Sequence, residues 1–140
     1  MKQILAIAAI GLLAGGTALA SERGSERNAR VDTQAKLDKA LRGYEQAGPA
    51  MSCVNHRDLG GNKSVGDAIL FSGHSGRLFV NRPAGGCTNM NFGRTLVTRT
   101  SSARLCRGDI ATVVDPVSGF SYGGCGLGDF VPYKRVRNRG

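Results

Sequence analysis

The chain predicts a mainly β fold, a small antiparallel barrel or sandwich-like sheet with one N-terminal helix and two disulfides. Three observations carry that expectation. From Cys53 onward apolar and polar residues alternate in short runs, clusters of Gly, Ser, Asn and Asp punctuate those runs, and four cysteines follow an apolar leader. A length of 140 residues allows one domain. A kinase, a dehydrogenase or a barrel enzyme needs more chain. With 41% hydrophobic and 21% charged residues, the composition argues against wholesale disorder, collagen or coiled coil.

Residues 1–20 read as a signal peptide. Lys2 supplies a positive start, Ile4 to Leu13 an apolar run, and Thr17-Ala18-Leu19-Ala20 the small residues that a signal peptidase reads. The apolar run is shorter than the ~20 residues a bilayer span needs, and Gly15-Gly16 interrupts it. Cleavage after Ala20 removes Lys2 and no acid, so the net charge of +9 becomes +8. The expected product is periplasmic or secreted, with no membrane span.

Residues 21–31 are polar and without period, and read as a flexible lead. Over 32–47 Leu37, Ala40, Leu41 and Tyr44 share one helical stripe, Asp32 offers an N-cap, and Gly48-Pro49 ends the pattern, so an amphipathic helix is expected to cover the sheet. The β domain is expected over 51–133. Cys53-Val54-Asn55 opens it. Asp67–Ser72 and Arg77–Arg82 flank Gly73-His74-Ser75-Gly76 as a hairpin. Leu96–Thr100 and Ile110–Val114 give two more strands. Phe120–Tyr122 and Phe130-Val131 read as a final pair joined through Gly123–Gly128. The segment 134–140 reads as a basic, solvated tail.

Cys53, Cys87, Cys106 and Cys125 are separated by 34, 19 and 19 positions. Those gaps lack the close ligand pairs of a zinc site, and a nucleophilic thiol would leave an odd cysteine. An exported chain with an even count implies two disulfides. Three connectivities are open. The nested one, Cys53–Cys125 with Cys87–Cys106, is favoured because it ties the first strand to the last and staples a central pair. On chain entropy the shorter loop is worth about 3 kcal/mol and the longer one about 4 to 5 kcal/mol.

Several short motifs lack their chemical context. His56-Arg57-Asp58-Leu59 matches a kinase catalytic string, but the Asn needed five positions after the Asp is absent, because position 63 is Lys. Gly61-Asn62-Lys63-Ser64 lacks the Gly-Lys step of a phosphate loop, and Gly124–Gly128 is not spaced as a dinucleotide fingerprint. Arg107-Gly108-Asp109 reads as a turn. His56 and His74 suggest a small phosphodiesterase in principle, although no paired carboxylates flank them. Asp109, Asp115 and Asp129 read as turn and strand-end residues. The sequence therefore assigns no catalytic, cofactor-binding or metal-binding residues.

Arginine on the β half is the strongest remaining surface feature. Arg77, Arg82, Arg99, Arg104 and Arg107 form a candidate anion-binding patch, with Arg94 and the aromatics Phe79, Phe92 and Tyr122 nearby. The plainer reading is a solvated sheet face that discourages edge pairing.

Leu41-Arg42-Gly43, Ser52-Cys53-Val54, Leu78–Arg82 with Gly85-Gly86-Cys87, Leu96–Thr100, Leu105–Ile110 and Cys125–Tyr133 together carry a resemblance. Over residues 35–135 the chain resembles a domain-of-unknown-function family of small exported four-cysteine bacterial proteins, mostly alphaproteobacterial. Thr88 departs from it, since a proline is expected after the second cysteine. The resemblance implies export and a four-cysteine β domain, and no catalysis. The expected function is a non-enzymatic binding or structural module of the cell envelope, for an anionic envelope component or another exported protein. The alternatives are a small periplasmic hydrolase and an inhibitor of a secreted enzyme.

Overall fold

The computed structural model describes residues 18–87, 89–90 and 93–137, with backbone alone for 18–23. Most of the predicted signal segment, Thr88, Phe92 and the last three residues lie outside the described residues.

Helix α1 (Ala18–Ala40) lies on one face of a five-stranded antiparallel sheet. That sheet is built from β1 (Tyr44–Gln46), β3 (Leu59–Val65), β4 (Ala68–Gly73), β5 (Arg77–Asn81) and β10 (Phe130–Arg135), in the order β1-β10-β5-β4-β3. Its opposite face is covered by two smaller sheets. One pairs β2 (Cys53–Asn55) with β7 (Arg104–Cys106); the other orders β6 (Thr95–Thr98), β8 (Ile110–Val114) and β9 (Ser121–Gly126).

Alternation along the central strands fills both faces. Ala68 and Leu70, Val80, and Val131 with Tyr133 meet Leu37 under the helix. Their neighbours Ile69, Phe71, Phe79 and Phe130 point into the larger core with Val54, Leu96, Leu105, Ala111, Val113 and Leu127. Phe71 and Phe130 meet there with ring centroids 5.7 Å apart. The sheets remain open, so the architecture is sandwich-like and not a closed barrel. At one seam a side chain does the work of a ladder: Asn62 of β3 accepts from the Leu96 N–H at 3.3 Å and donates to the Leu96 carbonyl at 3.4 Å. Inside the core Asn81 does the same for Gly128, at 2.9 and 2.7 Å, and is wholly buried.

The helix is longer at its start and shorter at its end than its apolar stripe suggests. Segment 21–31, expected to be a flexible lead, is helical, and 24–32 is exposed throughout. Asp32 pairs with Lys36 one turn on, at 2.6 Å. Docking falls on Thr33 and Leu37, both buried. Thr33 accepts the Asp67 N–H at 3.2 Å from the β3–β4 turn. Gly66 in that turn has φ 65°, and a Cβ there would collide with Thr33. Tyr44–Gln46, expected to be helical, is instead an edge strand on β10, pairing Tyr44 with Arg135 and Gln46 with Tyr133. Pairing with a free sheet edge outweighs the helical period there.

Two further expectations are corrected. Phe120–Tyr122 and Phe130-Val131 do not form a hairpin. Gly123–Gly126 is itself strand, lying against β8 with Ala111 opposite Cys125, whereas β10 leaves for the central sheet between β1 and β5. Gly124 permits that approach, since a Cβ there would lie 3.0 Å from the Ala111 carbonyl oxygen. The nested cysteine pairing is also wrong. The disulfides are Cys53–Cys106 and Cys87–Cys125, with Cα atoms 4.0 and 5.1 Å apart. Cys53 stands directly opposite Cys106 in the β2–β7 ladder. The neighbouring ladder bonds, Arg107 N–H to Ser52 and His56 N–H to Ala103, make this a non-hydrogen-bonded pair, where antiparallel side chains stand closest. Since β9 lies in the β6-β8-β9 sheet, Cys125 is carried to Cys87 and away from β2. Among the described residues no cysteine is free, and no helix is long and apolar enough to cross a membrane.

Candidate functional site

The inner face of the central sheet is longer than its cover. Along β5 the inward positions run Asn81, Phe79, Arg77; along β10 they run Phe130, Pro132, Lys134. The first two positions of each series are buried or half-buried, and the third is exposed. Alternation thus carries Arg77 and Lys134, direct cross-strand partners, past the end of the core on the same face. Arg104 borders the same opening from β7. The result is a groove of about 490 Å³, with Met51, Phe79 and Pro132 along it and the Cys53–Cys106 bridge at its side.

The charges of the groove are unequally engaged. Lys134 Nζ lies 3.2 Å from Glu45 on β1. Asp58 accepts a hydrogen bond from the Asn55 side-chain amide at 3.2 Å. Arg77 and Arg104 have no carboxylate partner among the described residues. Two guanidinium groups, each a planar fork of donors, therefore border an opening whose lining combines Met51, Val54, Phe79 and Pro132 with Asn55 and Asp58.

The other arginines are not gathered here. Arg82 follows β5 on the helix side, where it donates to the Gln34 side-chain oxygen at 2.6 Å. Arg99 is exposed just beyond β6. Arg107 pairs with Asp129 at 3.3 Å. Arg94 lies 3.5 Å over the Tyr122 ring and donates to the Asn89 carbonyl at 3.0 Å. The structure thus brings Arg77 and Arg104 to one groove and separates Arg82, Arg99 and Arg107 from it. Lys134, read from the sequence as tail, belongs to β10 and completes the groove; its signal was the alternation of Phe130, Pro132 and Lys134.

The histidines share one end of the molecule without forming an acid–base pair. His56 lies on the 3-10 turn His56–Asp58, and His74 on the turn His74–Gly76. Leu59 and Gly73, which adjoin these turns, are register partners. His74 Nε2 donates to the Arg57 carbonyl at 2.5 Å, which makes that nitrogen the protonated one. Neither ring lines the groove. No group of three or more His, Cys, Asp or Glu among the described residues could hold a metal ion. The remaining motifs are structural. The Arg107–Asp109 turn is closed by the Cys106 N–H donating to Asp109 at 2.7 Å, and Gly61–Ser64 lies within β3. Asp115 closes the β8–β9 turn. Backbone N–H groups of Ser118 and Val117, at 3.0 and 2.8 Å, hold its carboxyl below the ordinary carboxylate range.

Comparison of the chain with known proteins finds no matching family model, curated protein or solved structure.

Proposed function

We propose that the chain is an exported, non-enzymatic binding module of the cell envelope that recognises an anionic ligand. One observation carries this reading: Arg77 and Arg104 flank a single groove without carboxylate partners among the described residues. Its support from elsewhere is threefold. The chain has a formal net charge of +9, its disulfides suit an oxidising compartment, and residues 1–20 have the three-part pattern of an export signal. The resemblance to small exported four-cysteine proteins points the same way.

The location test is cell fractionation with intact mass. A periplasmic or secreted species beginning at Ser21 is expected; a cytoplasmic protein that retains the leader overturns export. The binding test is a salt titration against heparin, single-stranded DNA, lipopolysaccharide and anionic detergent monomers. Affinity for at least one of these, falling as ionic strength rises, is expected. Absence of binding to all four at low salt overturns the reading.

A further inference from the structure

We propose that the groove between β7 and the end of the central sheet takes one small amphiphilic anion, a phosphate or carboxylate head on an apolar tail. This rests on the anion-binding reading above and narrows it to one ligand class. The head is assigned to Arg77 and Arg104, the groove's two cations without carboxylate partners among the described residues. A guanidinium fork donates two parallel N–H bonds to either oxyanion, which a lysine ammonium cannot reproduce.

Three features select a short amphiphile over a long polyanion. The groove's other charges are Asp58, which accepts from Asn55, and Lys134, which is paired with Glu45, so two arginines are offset by nearby carboxylates and the site suits a single anionic head better than a chain of phosphates. The arginines that could extend a cationic track stand elsewhere, Arg82 bound to Gln34 on the helix side and Arg107 paired with Asp129. The same lining includes the apolar side chains of Met51, Val54, Phe79 and Pro132, of which Val54 and Phe79 belong to the core and Met51 packs against it. A volume of about 490 Å³ suits a small molecule. A hydrophilic anion leaves those apolar side chains wet, whereas an alkyl chain covers them.

The test is calorimetric titration of the oxidised protein with dodecyl phosphate and dodecanoate, each below its aggregation concentration. Inorganic phosphate, dodecyl maltoside and heparin serve as comparisons. Both anionic amphiphiles are expected to bind at least roughly tenfold more tightly than inorganic phosphate or the neutral maltoside. The relative affinity of the two distinguishes a phosphate from a carboxylate head. The double variant Arg77→Ala/Arg104→Ala is expected to lose at least roughly tenfold in that affinity, while Arg99→Ala keeps it. Both arginines are exposed, and unchanged circular dichroism and thermal unfolding confirm a folded variant. Equal binding of dodecyl maltoside, or full affinity in the double variant, overturns the proposal. Binding of heparin alone overturns it too but leaves the broader anion-binding reading standing; binding of no anion removes both.

Discussion

Replacing Asn81 by Ala should be among the most damaging single changes to a polar residue of this protein. Asn81 is fully buried, and its amide answers both the N–H and the carbonyl of Gly128 at 2.9 and 2.7 Å. Truncation leaves both backbone groups without a partner. A polar group stripped of its hydrogen bond in a buried setting costs about 1–3 kcal/mol; Gly128 is half-buried, so the pair costs about 2–4 kcal/mol, with a small cavity added where the fully buried Asn81 side chain stood. Set against a total of about 5–15 kcal/mol for an ordinary domain, that is a large share. Asn62 supplies the internal comparison. It makes the same two bonds to Leu96, but at 3.3 and 3.4 Å and half-buried, where water can substitute, so Asn62→Ala should cost about 0.5–1.5 kcal/mol. Urea titration of the oxidised variants measures both. Far-ultraviolet circular dichroism and tyrosine emission are the suitable probes, since the chain contains no tryptophan. A loss below about 1 kcal/mol for Asn81→Ala, or equal losses at the two sites, refutes the reasoning.

Three other outcomes follow from the same structure. Peptide mapping without reduction should recover Cys53 linked to Cys106 and Cys87 to Cys125; with sequence separations of 53 and 38, serine replacement of either pair should cost about 4 kcal/mol on the chain-entropy model. A peptide joining Cys53 to Cys125 contradicts the pairing. Leu37→Ala, at the buried centre of the helix contact, should cost about 2–5 kcal/mol and raise amide exchange across Thr33–Ala40 ahead of the sheet; uniform exchange would show that the helix is not a separately docked layer. Asp115 should titrate below the ordinary aspartate range when followed by carbon NMR. Because its folded-state value is depressed, its contribution to stability is complete above the unfolded-state value and is lost as pH falls through the folded one. A midpoint at or above the ordinary value contradicts the two backbone donors.

How legible each part was depended on whether its cause is local. The β4–β5 hairpin and β8 were readable because Ile69, Phe71, Phe79, Val80 and Val113 mark strands by composition and spacing, and Gly73–Gly76 marks the turn. β3 was not readable. Its Leu59–Val65 run is mostly Gly and polar, as suits an edge strand whose pairing comes from β4 alone. Partner choice was equally hidden, since nothing local to Ser121–Gly126 states that it joins β8 and not β10, and the disulfide pairing inherits that choice. Tyr44 and Lys134 were misread for a common reason. Each has a plausible local reading, as helix stripe or as tail, that a ladder to a distant strand displaces. Asn81 is the plainest case of a role invisible in sequence, because a polar residue ending a strand looks solvated until Gly128 closes over it. Within the groove, Arg77 and Arg104 were singled out as arginines, but only the sheet's twofold alternation and its short cover separate them from Arg82, Arg99 and Arg107.

The crossing of the two sulfur bridges has a consequence for damage to the backbone. Consider a protease that nicks the chain twice, once between Cys53 and Cys87 and once between Cys106 and Cys125. Under a nested arrangement the excised middle piece would carry only its own internal link and could drift away. Here that piece holds Cys87 and Cys106, each tethered to a different flanking piece, so all three fragments stay covalently one molecule. Losses of material then require reduction as well as cleavage.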